Sequence, residues 1–377
     1  MNIGFDAKRA FNNYTGLGNY SRSTIQLLEK HQAENNYYLY SPTINEENIP
    51  DDFLNDLDVK LRNPNTPMGK IFKGIWRSYG GINTHIKNDE IDVFHGLSNE
   101  LPVGIKSSAR KSVVTIHDLI FMRHPNFYPQ IDRIIYKNKF QYACNTANKV
   151  ICVSEQTAKD VQSFFDISRD KIEVVYQSCN PQFKVKVKAE KLKEVKEIHN
   201  LPDEYLLYVG TIEERKNLFV IIEAMQKLGR KCPPLVVVGK KKPYFNFILN
   251  FIKRHKMTEK VIFLQDVFYD QLPAIYQQAS IFIYPSKFEG FGIPMIEALY
   301  SGIPAIGATG SCLEEAGGPS SAYITPEDSD QLTELIPEIL SNQNLRDEMI
   351  TGGYLHLINF EEKKIAQDLQ NVYNELR

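Results

Sequence analysis

Glu289 to Ala298 reads E-G-F-G-I-P-M-I-E-A, two carboxylates set around a glycine-proline turn. Gly290 and Gly292 let the backbone bend tightly and approach a ligand where a Cβ would collide. Pro294 has the fixed φ suited to a first helical position. Met295, Ile296, Ala298 and Leu299 supply the apolar side of a helix that Gly302 ends. Upstream, Ser280 to Tyr284 is a short apolar, β-rich run that predicts a buried strand. Strand, glycine turn and helix N-terminus together make a place where unpaired N–H groups and the helix dipole attract an anion. An acid beside such a site would repel phosphate. Glu289, at the mouth of the turn, and Glu297, about one turn inside the helix, are therefore suited to accept hydrogen bonds from hydroxyls that flank a phosphate, as on a sugar and a ribose. An ordinary turn followed by an exposed helix would share some of these features, but not the whole decapeptide.

A second group of chemistry-bearing residues is Gly210 to Asn217, G-T-I-E-E-R-K-N, directly after the strand predicted over Leu206 to Val209. Ligands on open α/β sheets gather at strand C-terminal ends. Arg215 and Lys216 are adjacent cations at such an end, and an arginine fork matches a phosphate. Alone they read as two solvated charges at a helix start; beside the E-G-F-G turn they read as a phosphate clamp. Gly239, at the end of Leu235 to Val238, is a further place where tight backbone could face a nucleotide.

In the first half, T-G-L-G-N-Y (Thr15 to Tyr20) opens a helix, but Ser21 occupies the last position of a G-x-G-x-x-G pattern, which argues against a dinucleotide site. V-V-T-I-H-D-L places His117 at the end of a buried strand, either as a satisfied structural group or facing a ligand. His95 and Asn99, in V-F-H-G-L-S-N-E-L-P, are cleft-lining candidates. Lys70, Lys73 and Arg77 interleave with Phe72, Ile75 and Trp76, a pattern that either rests on an anionic membrane or packs an apolar helix face inward with its cations solvated.

These segments resemble the retaining GT-B glycosyltransferases of family four, the group 1 transferases, with E-x7-E around G-F-G-x-P as the strongest likeness. The resemblance implies α/β architecture: two Rossmann-like parallel-sheet domains facing across a cleft. It implies that Glu289 meets donor sugar hydroxyls, Glu297 meets the ribose, and Gly290, Phe291 and Gly292 line sugar and phosphate. Val267 matches the position whose backbone reads the base, and Gly16 would approach the diphosphate from the other lobe. Thr211 stands where many members carry an arginine, which leaves open whether Arg215 alone replaces that guanidinium beside Lys216. V-T-I-H-D-L-I-F-M-R-H-P is similar to mannosyltransferase-like members; His117 would then hydrogen-bond the donor sugar, with Asp118 orienting it or positioning the acceptor. The implied reaction moves a sugar, with GDP-mannose the favoured donor, to a hydroxyl of a glycan or lipid-linked acceptor in surface polysaccharide or glycolipid synthesis. Catalysis would fall to Glu289, His117, Arg215 and Lys216, with neither metal nor cofactor, because no D-x-D dyad is suitably placed. An epimerase on the same fold and a non-catalytic nucleotide-sugar-binding subunit are the alternatives.

The elements that must hold these residues follow from the pattern. A chain of 377 residues, 42% apolar and 24% charged, suits two soluble domains. A net charge of −2 gives no basic field for nucleic acid. Five scattered cysteines fit a reducing cytoplasm, with peripheral contact on the inner membrane face as an additional expectation. Short β-rich runs alternate with helical patterns throughout, which predicts parallel sheets. Expected strands are Ile3 to Ala7, Tyr37 to Tyr40, Asp92 to Phe94, Ser112 to Ile116 and Lys149 to Val153, then Tyr205 to Val209, Leu235 to Val238, Val261 to Leu264 and Ile281 to Tyr284. The boundary is expected near 180/181, with a second domain over 181–358 and a final amphipathic helix over 359–377 that the resemblance returns to the first domain.

Overall fold

The computed structural model describes residues 1–13, 15–44, 53–54, 57–64, 73–78 and 81–377. The chain forms two compact units, Met1–Ser178 with Phe360–Arg377, and Cys179–Asn359. The first holds β1 (Asn2–Asp6), β2 (Asn36–Tyr40), β3 (Val59–Arg62), β4 (Val93–Gly96), β5 (Lys111–Ile116), β6 (Lys149–Cys152) and β7 (Ile172–Val174), in the order β3-β2-β1-β4-β5-β6-β7. The second holds β8 (Leu206–Val209), β9 (Leu235–Val238), β10 (Val261–Leu264), β11 (Ile281–Ile283), β12 (Ala305–Ala308) and β13 (Ala322–Ile324), in the order β10-β9-β8-β11-β12-β13. Each of these strand pairings is parallel. Helices cover the sheets, so the central strands read as unbroken apolar runs: L-V-V-V of β9 is wholly buried.

Strand order reverses between β1 and β4 in the first sheet and between β8 and β11 in the second. At such a switch point the two flanking crossovers diverge and leave a crevice at the strands' C-terminal ends. In the second unit this geometry sets the loop after β8, Gly210–Asn217, beside the loop after β11, which reaches Gly292. The helix Ile293–Tyr300 follows, with Pro294 in its first turn. Gly292 has φ +132, and an added Cβ would lie 2.9 Å from Leu313 Cδ2, so both conformation and packing require glycine there.

The C-terminal helix Glu362–Asn374 buries Ile365, Ala366, Leu369, Val372 and Tyr373 within the first unit. Leu376 lies beyond its end and is half-buried. Asn35 Nδ2 donates to Gln370 Oε1 at 2.9 Å, and Lys30 pairs with Glu362 at 3.1 Å.

The basic-aromatic stretch around Trp76 behaves differently from either expectation. Lys70 and Phe72 lie outside the described residues. Trp76 is buried as expected of an inward face, but Arg77 is not solvated: it is 8% exposed. Its Nε donates to Asp6 at 2.9 Å and its Nη1 to Glu100 Oε2 at 2.7 Å. A buried guanidinium is tolerable only when such partners replace its water. Trp76 and Arg77 are therefore unavailable to a membrane surface.

Candidate functional site

The switch point of the second unit gathers the charged residues that the sequence singled out. Lys216 Nζ donates to Glu289 Oε1 at 2.6 Å across 73 residues of sequence. Arg215 Nη1 lies 3.0 Å from the same oxygen. Ser286 Oγ donates to it at 2.6 Å and the Tyr284 hydroxyl at 3.1 Å. Among the described residues, every hydrogen bond to this carboxylate ends on Oε1, which leaves Oε2 as an acceptor turned to none of them. Burial alone would raise the Glu289 carboxyl, but Lys216 and then Arg215 outweigh it and hold it down at about 2. Glu289 is thus a fixed anion at neutral pH.

Arg215 is held on three sides. Its Nη1 donates to the Phe288 carbonyl at 2.6 Å and its Nη2 to Glu213 Oε1 at 2.9 Å. The Arg215 carbonyl accepts from Lys287 N at 2.9 Å. Asn217, with φ +58, donates to the Pro285 carbonyl at 3.1 Å and so ties the two loops together. The Thr211 carbonyl accepts from the Tyr208 hydroxyl at 3.3 Å and from Glu213 N at 3.0 Å. Gly239 is a steric necessity: a Cβ there would sit 1.9 Å from the Gly210 carbonyl oxygen.

Glu297 lies deeper, 6% exposed, with the Tyr276 hydroxyl donating to Oε2 at 3.0 Å. Burial raises its carboxyl to about 7, against the opposing pull of that hydrogen bond. Val267 follows the left-handed Asp266 (φ +51) at the end of β10, and its backbone N–H and carbonyl make no hydrogen bond to the described residues. Cys312 Sγ donates to the Phe291 carbonyl at 2.6 Å and the Glu289 carbonyl at 3.1 Å, bracing the turn from behind.

In the first unit, His117 sits just past β5, 8% exposed. Its Nε2 is 2.8 Å from the Leu97 carbonyl. A carbonyl only accepts, so Nε2 carries the proton and Nδ1 of the neutral ring is an acceptor. Burial lowers this imidazole to about 4, despite the Leu97 contact. Tyr20 meets the ring edge-on at 4.5 Å between centroids. Asn99 does not turn its side chain to solvent as a cleft-lining group would; its Oδ1 accepts from His117 N at 2.8 Å, and it is held at φ +62. Asp118 Oδ1 accepts from Ile120 N at 3.1 Å.

His95 is a correction. Expected to line a cleft, it is wholly buried, with Nδ1 2.7 Å from the Tyr373 hydroxyl and Nε2 2.8 Å from Thr115 Oγ1. Its strand lies between two others, so its side chain points into the interior.

The glycine loop near residue 16 also reads differently in space. Gly16 begins the helix Gly16–His31 and has open space where a Cβ would be, so nothing among the described residues requires glycine there. Gly18 is the constrained one: its Cβ would meet the Asn13 carbonyl oxygen at 1.8 Å.

Sequence reasoning missed Ser286, Tyr284 and Tyr276, which hold the two glutamates. Ser286 and Tyr284 stand three and five residues before Glu289, in the same loop. Tyr276 carries no local signal.

Fold and site together define a glycosyltransferase of GT-B architecture. Glycosyl transferases group 1 matches residues 190–356, and Glycosyltransferase Family 4 matches residues 16–183. The chain belongs to the group 1 glycosyltransferases. It is 26% identical over 288 residues to O-antigen chain mannosyltransferase B of Escherichia coli, covering 75% of this chain and 74% of that one. It is 28% identical over 268 residues to the Escherichia coli serotype-specific mannosyltransferase WbdA, covering 67% of this chain but only 32% of WbdA, so it spans about a third of that relative. An Anabaena HepE structure in complex with UDP-glucose shares the fold, with TM-score 0.74, 15% identity and full coverage of both chains.

Proposed function

We propose that this chain transfers mannose from GDP-mannose, with retention of configuration, to a hydroxyl of a glycan or lipid-linked acceptor in surface polysaccharide synthesis. The observation that carries the reading is the convergence of Arg215 and Lys216 on one oxygen of Glu289 at the switch point of the second sheet. The two cations would take the diphosphate, whose charge grows as the glycosidic bond breaks; fixed positive groups there lower the barrier by preorganisation. The Oε2 of Glu289 would accept from a donor sugar hydroxyl, and Glu297 from the ribose. His117 Nδ1 would accept from a further sugar hydroxyl. The Val267 backbone would read the base, Gly16 and Thr211 would approach the phosphates, and the amides of Gly290, Phe291 and Gly292 would line the sugar. As the family resemblance implies, the acceptor would attack on the face that the diphosphate leaves, its proton passing to a leaving phosphate oxygen.

The names of the Escherichia coli relatives support the sugar and the pathway, and the UDP-glucose held by the Anabaena protein supports a nucleotide sugar as donor. The test is incubation with labelled GDP-mannose and labelled UDP-glucose in the presence of EDTA. Slow release of mannose from GDP-mannose alone, or its transfer to added acceptor glycans, is expected. An epimerised donor, consumption of UDP-glucose in preference, or turnover only after Mn²⁺ is restored would overturn the corresponding part of the proposal.

A further inference from the structure

The second unit carries a cavity that the donor reading leaves unused. It measures about 320 Å³ and lies between the first turns of the helices Leu218–Leu228 and Phe245–Arg254, bordered by the loops after β11 and β13. Arg215, Lys216, Glu289, Glu297 and Val267 take no part in its lining. Its wall is aromatic. Tyr244 and Phe247 stack at 5.3 Å between centroids with 29° between their planes, and Phe219 meets Phe247 at 5.0 Å. Phe219 and Tyr244 are anchored against the core, whereas Phe247 is 49% exposed. A half-exposed ring continuous with two anchored ones, on the wall of a cavity, is a preformed apolar surface for a ligand.

The polar groups around that wall decide the ligand. Glu223 and Glu327 line the cavity and make no hydrogen bond or ion pair with the described residues. Asn217, 7% exposed, donates from Nδ2 to the Pro285 and Pro326 carbonyls, and its Oδ1 accepts from none of the described residues. Burial, then Glu214 and Glu223, hold the Tyr244 phenol up at about 12, so its hydroxyl is a donor at neutral pH with both carboxylates near it. Lys287 is the sole cation of the lining, 3.9 Å from Glu214. An anion would meet three carboxylates here. A cation would be repelled by Lys287, and the two stacked rings present one wall, not the enclosing cage that holds an ammonium. A polyhydroxylated ring suits every part of the lining. Its C–H face lies on the aromatic wall, and its hydroxyls donate to the carboxylates and accept from lysine and tyrosine. Glu214 and Asn217 bracket Arg215 and Lys216, so a ligand held here lies against the loop proposed to hold the diphosphate.

We propose that this cavity is a glycan-binding site that takes one sugar ring of a neutral oligosaccharide against Tyr244 and Phe247, with its hydroxyls on Glu223, Glu327 and Asn217. That the oligosaccharide is the chain under construction rests on the transferase reading; the binding does not. The experiment is titration of the full chain with an α-linked mannotetraose, without nucleotide, read by calorimetry and by saturation transfer to the sugar protons. The wild type is expected to bind. Phe247→Ala is expected to weaken that binding roughly fivefold or more, and the milder pair Glu223→Gln, Glu327→Gln by about threefold. Ile198→Ser, which removes a side chain 53% exposed elsewhere on the second unit, should leave it unchanged. Denaturant midpoints guard against misfolding of Phe247→Ala, and the glutamine pair decides if that variant does not fold. Absence of wild-type binding, or equal affinity of wild type and both variants, would overturn the proposal. So would tetramethylammonium that binds the wild type more tightly than the sugar and is lost with Phe247→Ala, since the cavity would then hold a cation. Slow hydrolysis of GDP-mannose without acceptor should be the same for Phe247→Ala and wild type. A chain that binds the glycan but shows no such hydrolysis would break the transferase reading and leave the glycan site standing.

Discussion

At the switch point of the second sheet, two cations converge on one buried carboxylate, whereas at that of the first sheet one cation is enclosed by two. Arg77 is matched by Asp6 and Glu100, and its positive charge is spent inside the protein. Arg215 and Lys216 share Glu289, and the second carboxylate near them, Glu213, has a side chain 34% exposed and screened by water. Burial holds His117 at about 4 and His95 at about 3, so both imidazoles of the first edge are uncharged at neutral pH, while Lys8 and Arg9 follow β1 at the same edge. The second edge brings two cations together on one carboxylate, and the two histidines of the first are neutral hydrogen-bonding groups.

The comparison breaks most visibly at the cations. The double change Arg215→Ala, Lys216→Ala should abolish transfer and weaken binding of the free nucleoside diphosphate by about a hundredfold or more, since charge-assisted contacts are each worth ~1.5–3 kcal/mol. Unchanged affinity by calorimetry would show that the charge of this edge serves something else. Arg77→Ala should act on stability instead, costing about 3–5 kcal/mol by leaving Asp6 buried without its counter-charge. Denaturant unfolding reads that loss, and a stable Arg77→Ala protein would remove the contrast. Next in size is Glu289→Gln, expected to depress turnover roughly a hundredfold, the scale of one transition-state contact, while binding of the sugar-free nucleotide changes little. Should Glu289→Gln lose nucleotide and Glu297→Ala keep it, the donor lies reversed along this edge.

Glu297 also makes the second unit sensitive to pH. Its folded value, about 7, lies above that of an exposed glutamate, so the folded state keeps the proton longer than the unfolded chain. The stabilisation is full below the unfolded value and lost as pH rises through about 7, to the extent of roughly 3 kcal/mol. Denaturant midpoints at about pH 5 and about pH 9 should differ for wild type and much less for Glu297→Gln; parallel curves would mean that Glu297 is already ionised when folded.

The central strands were legible because burial on both faces leaves dense β-branched runs such as L-V-V-V at β9. Of the edge strands, β10 was legible as V-I-F-L but β3 and β7 were not. V-K-L-R of β3 is half charged and largely exposed, and β7 has three residues, too few for a pattern. A-I-G-A of β12 is wholly buried but built of poor strand formers, held by its neighbours and not by its own preference. In the site, the two glycine loops announced themselves through residue types. Their pairing did not, because strand order, not sequence distance, brings Lys216 to Glu289. His95 shows the converse failure: a polar residue in a motif-like stretch looked like a ligand group, and only its partners reveal an interior role.

Those partners supply the smallest expected effect. His95 Nδ1 meets the Tyr373 hydroxyl at 2.7 Å, and Thr115 Oγ1 joins His95 Nε2 at 2.8 Å to the Tyr20 hydroxyl at 3.0 Å. Tyr373 stands on the C-terminal helix, so this chain of hydroxyls and imidazole fastens that helix beneath the strands that carry His95 and Thr115. Tyr373→Phe keeps the ring and its edge-on packing on His95, at 5.8 Å between centroids, but leaves a buried nitrogen without its partner. The cost should be about 1–3 kcal/mol, the desolvation of one unsatisfied polar atom. Because the imidazole is neutral, the loss should be equal at about pH 6 and about pH 8, unlike the loss across the Glu297 transition. A loss that grows toward acid would mean that His95 carries charge in the fold, and the imidazoles of the first edge would then no longer be its neutral groups.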